Sequence, residues 1–301
     1  MAGEWSELEE PVAAAHQIEA AAPAIKPAVG RFRAAQSCQT KDPQPSIRVP
    51  RAWRCTVGMS ATYDFISASY RRFRRPDPRI AVFIHRALGD ASSLLNVGAG
   101  TGSYEPRGHH VVAVEPSLAM IRQRPPTPAQ VVRGSSSALP FRDAAFDASL
   151  AILTVHHWPR QDTGLRELRR VARRRVVILT WDPAAPGCWL TDYFPEILDI
   201  DREIFRSLDT FSRVLGPTRV LDIPIPHDCS DGFLGAYWRR PACYLDASRR
   251  SASSTFTRLR DVEEGLSRLA QDLASGEWER RHGSILAEDT LDLGYRLVVA
   301  A

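Results

Sequence analysis

Three alternating glycines at the end of an apolar run constrain this chain more than any other feature. Leu94-Leu95-Asn96-Val97 leads into Gly98-Ala99-Gly100-Thr101-Gly102, and His110-Val111-Val112-Ala113-Val114 then runs into Glu115. Short apolar runs closed by glycine read as buried strands that end in a tight turn. Glycine lets backbone amides approach a ligand with no Cβ in the way. A carboxylate at the tip of the next strand is placed to accept ribose hydroxyls. A tight turn alone would account for the glycines. Glu115, at the end of a second apolar strand, is what argues for a nucleoside pocket in an α/β sheet.

The glycine spacing narrows the ligand. A dinucleotide fingerprint needs G-x-G-x-x-G, but position 103 is serine and the third glycine comes one residue early, at Gly102. The G-x-x-x-x-G-K-[ST] loop of nucleotide triphosphatases does not occur. The G-x-G-x-G form resembles motif I of the class I methyltransferases, which bind S-adenosyl-L-methionine. Three later segments come in that family's order. Gly134-Ser135-Ser136-Ser137-Ala138-Leu139-Pro140-Phe141 resembles the loop along the adenine. Phe146-Asp147-Ala148-Ser149-Leu150-Ala151-Ile152-Leu153 resembles the fourth strand, and Thr154-Val155-His156-His157-Trp158 its His-His-Trp end. The resemblance is to the small-molecule branch that includes the ubiquinone/menaquinone C-methyltransferases. It is strong over residues 60–183 and looser to 301.

That resemblance implies a Rossmann-like α/β fold. Its seven-stranded sheet is mostly parallel, with an antiparallel last strand beside the fifth, helices on both faces and a helical lid. It implies that Asn96, Gly98, Ala99, Gly100 and Gly102 form the cofactor loop and that Glu115 takes the ribose. Ser136, Ser137 and Ala138 would lie along the adenine, Thr154 at the end of the fourth strand, and a lid tyrosine, Tyr63 or Tyr70, over the cofactor. Two positions depart from the family pattern. Asn96 stands where an acidic residue often opens motif I, so the acceptor oxygen is kept and the charge lost. Three serines stand where an acidic residue often meets the adenine amine, leaving backbone groups of Ser136, Ser137 and Ala138 to replace it.

Alternating strands and helices imply a parallel sheet with right-handed crossovers. Strands are expected at Ser93–Val97, Val111–Val114, Gln130–Val132, Ala148–Leu153, Val176–Thr180, Thr218–Ile223 and Asp292–Ala300. Asp77-Pro78 reads as an N-cap followed by proline at the first helical position, with Ile80, Phe83, Ile84, Ala87 and Leu88 on one face. Leu165, Leu168 and Val171 mark another helix. The Arg169–Arg175 cluster is expected to close it, where cations suit the helix dipole. A helix-rich insertion is expected over Trp189–Val214, and further helices over Asp231–Asp246 and Thr257–Ala274. The domain is thus expected to span residues 59–301, with helical insertions around 185–215 and 231–276. Residues 1–58, rich in Ala and Pro, read as a disordered extension with a short helix over Glu4–Ala22. Met59 reads as lying near the domain boundary, and as a candidate start codon.

A 301-residue chain that is 44% hydrophobic can bury a full core. The net charge of +4 is almost all arginine against acids, with lysine only at Lys26 and Lys41. The arginines are spread through the chain, which argues against a nucleic-acid surface. Cys38, Cys55, Cys188, Cys229 and Cys243 show no C-x-x-C spacing, so neither a zinc site nor a disulfide framework is expected. No apolar run is long enough for a membrane span. The acidic N-terminus is unlike a secretory or transit segment, and the cytoplasm is the expected location. The oligomeric state stays open between monomer and homodimer.

The expected activity is methyl transfer to O, N or C of a small molecule in secondary or cofactor metabolism. An imidazole titrates near neutrality, which makes His157 and then His156 the candidate bases, with His227 or Asp228 next. Trp158, Trp181, Trp189, Tyr193, Phe194, Tyr237, Trp238 and Tyr244 suggest an aromatic lid over the acceptor, with Asp192, Arg239 and Arg240 available to a polar one. Two alternatives stay open. An RNA methyltransferase would carry a motif such as N-P-P-[YF], which is not seen. A non-catalytic S-adenosylmethionine-binding regulator would fit Asn96 and the serine loop.

Overall fold

Alternate side chains of each central strand are buried on opposite faces, and this builds a seven-stranded sheet. The computed structural model describes residues 70–301 apart from Pro128. The expectations for residues 1–58, for Met59 and for Tyr63 lie outside the described residues. The strands are β1 Ser93–Val97, β2 His110–Val114, β3 Gln130–Val132, β4 Phe146–Ile152, β5 Ala172–Trp181, β6 Thr218–Asp222 and β9 Tyr295–Ala300, in the order β3-β2-β1-β4-β5-β9-β6. β1 to β5 pair in parallel, and β9 runs antiparallel to both β5 and β6. A separate short pair joins β7 Ile225–Pro226 to β8 Thr290–Leu291. The strand order reverses between β1 and β4, where open α/β sheets bind ligands beyond the carboxyl ends of the strands.

The helices are α1 Tyr70–Phe73, α2 Pro78–Leu88, α3 Leu118–Arg122, α4 Gln161–Val171, α5 Leu190–Tyr193, α6 Glu196–Ile204, α7 Leu208–Leu215, α8 Ala247–Arg250, α9 Glu263–Ser275 and α10 Glu277–His282. Leu95, Val97, Val112, Val114, Val176, Ile178 and Val298 pack with Leu165, Leu168 and Val171 of α4 and with Phe211 and Leu215 of α7. Leu94, Val111, Ala113, Val177 and Leu179 point the other way along the same strands and are also buried. On that side α2 packs against β5 and β9. It does so with Ile80, Ile84, Ala87 and Leu88, a stripe at helical spacing. Asp77 caps α2 by accepting from Arg79 N–H, and Pro78 sits at its first turn. Among the described residues no helix is long and apolar enough to cross a membrane.

Three expectations need correction. Asp231–Asp246 is a run of turns ending in a 3-10 helix, Pro241–Leu245, rather than an α-helix. Proline has no N–H to continue a helical ladder. Asp231 is also drawn aside by Arg74 Nε, 2.7 Å from Oδ1, and by Tyr104 Oη, 3.0 Å from Oδ2. Thr257–Ala274 is broken before its helix, because Asp261 Oδ1 accepts Glu263 N–H at 3.1 Å and starts α9 there. Only the first part of the arginine cluster closes α4, with Arg169 and Arg170 in its last turn. β5 begins at Ala172, so Arg173, Arg174 and Arg175 lie in the strand. They bind Asp147, Asp90 and the Ala87 carbonyl.

Asp147 ties β4 to β1. Its Oδ2 accepts from Ser92 N–H, Ser92 Oγ and Ser93 N–H, and its Oδ1 from Arg173. Burial pushes the carboxyl up, but the hydrogen bonds from Ser92 and Ser93 outweigh it and hold the group at about 2. The ionised form therefore stabilises the fold at every pH above the ordinary carboxyl value, and that contribution disappears as pH falls through about 2. Asp147→Asn is expected to lower stability at pH 7 by about 2 kcal/mol and to flatten the loss of stability between pH 4 and pH 2. Equal urea midpoints at pH 7 would contradict this.

Candidate active site

The bend after β1 is hung from the tip of β2. Gly98 N–H and Ala99 N–H both donate to the Val114 carbonyl, at 2.8 and 3.1 Å. Gly100 N–H donates to Glu115 Oε2 at 2.8 Å, and Ser117 N–H to Oε1 at 2.9 Å. Gly98 and Gly100 have φ of +70° and +51°, a region L side chains rarely adopt. A Cβ on Gly98 would run into the Thr154 side chain. One on Gly100 would meet only Met120 Cε, at 3.7 Å, and would otherwise project into open space.

That space is a cleft of about 910 Å³. Asn96, Gly98, Ala99, Gly100, Glu115, Ser136, Thr154 and His157 all line it, so these expected site residues are brought together. Gly102, Ser137 and Ala138 do not line it. Gly102 closes the turn by donating to the Ala99 carbonyl at 2.8 Å. Ser137 N–H and Ala138 N–H turn back on Ser135, to its Oγ and its carbonyl. Ser135 itself faces the cleft beside Ser136. The tyrosine on the wall is Tyr70.

The Asn96 side chain is held by a neighbouring ion pair. Asn96 Nδ2 donates to Glu105 Oε1 at 3.0 Å, and Arg124 Nη2 donates to Glu105 Oε2 at 2.6 Å. Glu105 lies nine residues after Asn96, in a loop with no periodic signal. Nothing in the sequence pattern singled it out.

A second cavity, of about 530 Å³, adjoins the cleft. The two share Tyr70, Arg74, Leu153 and His157 as lining residues. Leu153 ends β4 with φ +48° and donates its N–H to the Leu179 carbonyl at 2.8 Å. A leucine held in the left-handed region costs of order 1–3 kcal/mol, and here it sits where the two cavities meet. His156 lines only the second cavity, where its ring stacks on Phe205 at 4.1 Å between centroids. Burial holds His157 down to about 3, helped by the charges of Arg258 and Arg74. Burial also holds His156 well below its ordinary value, followed by His157, Arg258 and Arg74. Both imidazoles are therefore neutral at physiological pH and weak as bases. His227 and Asp228 line neither cavity, and Asp228 pairs with Arg79 at 2.7 Å.

Most of the expected aromatic lid is core. Trp189, Tyr193, Phe194, Tyr237 and Tyr244 pack on each other with Phe256, Leu269 and Trp278. Trp238 is fully buried, its indole N–H donating to the Ile225 carbonyl at 3.0 Å. Trp158 does line the cleft, and Trp181 the second cavity, where Tyr70, Phe205, Phe233 and Tyr295 add further rings. Arg239 and Arg240 bind backbone carbonyls, and Asp192 pairs with Arg281 and His282, all away from the cavities. Asp201 was also missed. It carried a signal, since it stands four residues after Ile197 on the buried face of α6.

Comparison with known proteins adds to this geometry. The family described as Methyltransferase domain matches residues 95–180. A solved structure from Anabaena variabilis, named as a methyltransferase from an antibiotic biosynthesis pathway, is 34% identical. The match covers 76% of this chain and 99% of that one, with a TM-score of 0.71. A structure named as a SAM-dependent methyltransferase, from Thermotoga maritima, is 14% identical over 76% of this chain and 89% of that one, with a TM-score of 0.45. A curated protein of Erwinia pyrifoliae, malonyl-[acyl-carrier protein] O-methyltransferase, is 36% identical over 95 residues. That stretch is 30% of this chain, and it spans only 36% of the curated relative's length.

The environment of the paired histidines has a direct readout. Side-chain NMR signals of His156 and His157 are expected to keep their neutral-imidazole positions from pH 8 down to pH 5. A midpoint for either near the free-histidine value of about 6.5 would contradict the described burial.

Proposed function

The chain belongs to the S-adenosylmethionine-dependent class I methyltransferases, and on that premise we propose that it transfers a methyl group from S-adenosyl-L-methionine to an O, N or C atom of a small-molecule acceptor. The observation that carries this reading is the wall shared by the two cavities, at Tyr70, Arg74, Leu153 and His157. Displacement at a methyl carbon needs donor and acceptor in separate pockets that meet at one point.

The residues of the cleft fit the cosubstrate. Gly100 leaves room that a Cβ would fill. Glu115 offers a buried carboxylate for ribose hydroxyls, and Ser135 and Ser136 flank the place for the purine. Bound there, S-adenosyl-L-methionine supplies a methyl group already attached to a good leaving group. The protein's part is then alignment and exclusion of water. Alignment alone can be worth about 7–11 kcal/mol. His157, at the junction, faces the acceptor and accepts a hydrogen bond from it, with His156 packed behind at 3.8 Å between ring centroids. With both imidazoles held neutral, we assign most of the rate to positioning rather than to proton removal.

We assign the acceptor to secondary or cofactor metabolism. The antibiotic-biosynthesis name of the Anabaena structure supports this. The Arg170, Arg173 and Arg174 side chains are engaged by Glu167, Asp143, Asp147 and Asp90, which leaves little for a nucleic-acid partner.

The test is release of S-adenosylhomocysteine from S-adenosyl-L-methionine in the presence of phenols, amines and carboxylic acids, paired with calorimetry. At least one acceptor class is expected to drive release. Glu115→Ala is expected to weaken S-adenosylhomocysteine binding by about 1.5–3 kcal/mol, the range for hydrogen bonds to a charged group. A wild-type chain that binds neither cosubstrate nor product would overturn the reading.

A further inference from the structure

Asp201 is a carboxylate on the buried face of a helix, and it lines the second cavity but not the cleft. It is only 3% exposed. Thr255 Oγ1 donates to its Oδ1 at 2.8 Å. Among the described residues its other oxygen has neither a hydrogen-bond donor nor an ion-pair partner. On the cavity wall that oxygen is open to a ligand or a water, either of which can complete it.

The rest of the cavity says what kind of ligand. Trp181, Phe205, Phe233 and Tyr295 supply ring faces, and Phe205 already stacks on the His156 imidazole. Such walls suit a flat aromatic molecule. The cations nearby are Arg258, which acts on Asp201 and on both imidazoles, and Arg74, which acts on the imidazoles and is already paired with Asp231. An ammonium group would have to shed its hydration to reach the Asp201 carboxylate, whereas a neutral hydroxyl donates to it at a smaller desolvation cost.

Resting on the methyl-transfer reading above, we propose that this cavity selects a neutral planar aromatic acceptor, one hydroxyl of which donates to Asp201 at the end away from the cleft. The atom that takes the methyl group then lies at the other end, beside His157. Asp201 does not touch the reacting atoms. It sets which acceptor is held and how far it reaches.

Burial pushes Asp201 up to about 6, against the Thr255 hydrogen bond and the charge of Arg258. A donating hydroxyl favours the ionised carboxylate, so its affinity is full above that value and falls as the carboxyl takes up its proton. The groups that share the cavity with Asp201 are Thr255, Tyr70, Tyr295, His156 and His157, with Arg258 and Arg74 as the cations. The imidazoles titrate far below this window, and Tyr70 and Tyr295, both raised by burial, far above it. Asp201 alone changes charge there.

The experiment titrates the full chain, saturated with S-adenosylhomocysteine, with hydroquinone, 1,4-dimethoxybenzene and benzylamine by ligand-observed NMR. At pH 7.5 hydroquinone is expected to bind about tenfold or more tighter than its dimethyl ether. Its affinity is expected to drop about tenfold between pH 7.5 and pH 5. Asp201→Asn is expected to weaken hydroquinone and abolish the pH dependence while leaving S-adenosylhomocysteine affinity unchanged. Equal binding of hydroquinone and its ether, no pH dependence in the wild-type chain, or tighter binding of benzylamine would each overturn the inference. The first two need no variant, so a misfolded Asp201→Asn cannot hide a failure. Absence of S-adenosylhomocysteine binding would instead sink the methyl-transfer reading on which this one stands.

Discussion

A single buried carboxylate joins the two strands that make this site. Glu115 accepts the Gly100 amide with one oxygen and the Ser117 amide with the other. It thereby fixes the bend after β1 to the tip of β2. Hydrogen bonds to an ionised acceptor are about twice as strong as neutral ones, and Glu115 is 5% exposed, so little water competes. The bend also rests on the Val114 carbonyl, one residue earlier. Because Gly100 has a left-handed φ and no Cβ, the space beside it stays open, whereas the Thr154 side chain lies against Gly98. The cleft is a consequence of how the bend is held. A floppy loop would have collapsed into the same space.

The wall between the two cavities depends on a second set of contacts. Arg74 Nε binds Asp231 at 2.7 Å and its Nη1 binds Tyr70 Oη at 3.2 Å. Tyr104 Oη donates to the other oxygen of Asp231, and Asp77 Oδ2 accepts from Ser230 N–H. These contacts clamp the segment around α1 to the loop after β7, and so hold Tyr70 and Arg74 where both cavities use them. Asp231 is almost fully buried, and breaking a buried pair of this kind costs about 3–5 kcal/mol. Leu153, strained at the end of β4, forms the opposite side. Strain of this sort persists only where surrounding structure enforces it, and the Leu179 carbonyl on β5 does so.

The sheet was legible because its signals are local. Apolar runs of strand length, separated by helical stripes such as Leu165, Leu168 and Val171, leave few topologies open. The strands observed match those expected to within a few residues. The resemblance in motif order supplied the antiparallel placement of the last strand. The bend and Glu115 were legible for the same reason, since glycine and a strand-end carboxylate carry their meaning in their spacing. What failed was long-range. Asp231–Asp246 looks helical until Arg74 and Tyr104 pull on Asp231. Glu105 holds the Asn96 amide through a contact no periodicity encodes. The aromatic residues after β5 were read as a lid, because hydrophobic content says that a side chain is buried but not against what. Asp201 is the exception, since a carboxylate on an apolar helical stripe is a local anomaly that deserved a reading.

The histidine pair illustrates how context redefines chemistry. An imidazole is a base near neutrality only when water or an anion stabilises its charge. Here burial and two arginines oppose that charge, which is why a role in geometry is proposed for the pair. The central claim remains the Glu115 bridge and the sugar site proposed for it. A crystal structure of the chain with S-adenosylhomocysteine tests it most directly. The account predicts both ribose hydroxyls within hydrogen-bonding distance of the Glu115 carboxylate, with the Gly98–Gly100 backbone against the ligand. A ribose bound elsewhere, with Glu115 still engaged with Gly100 and Ser117, would contradict it.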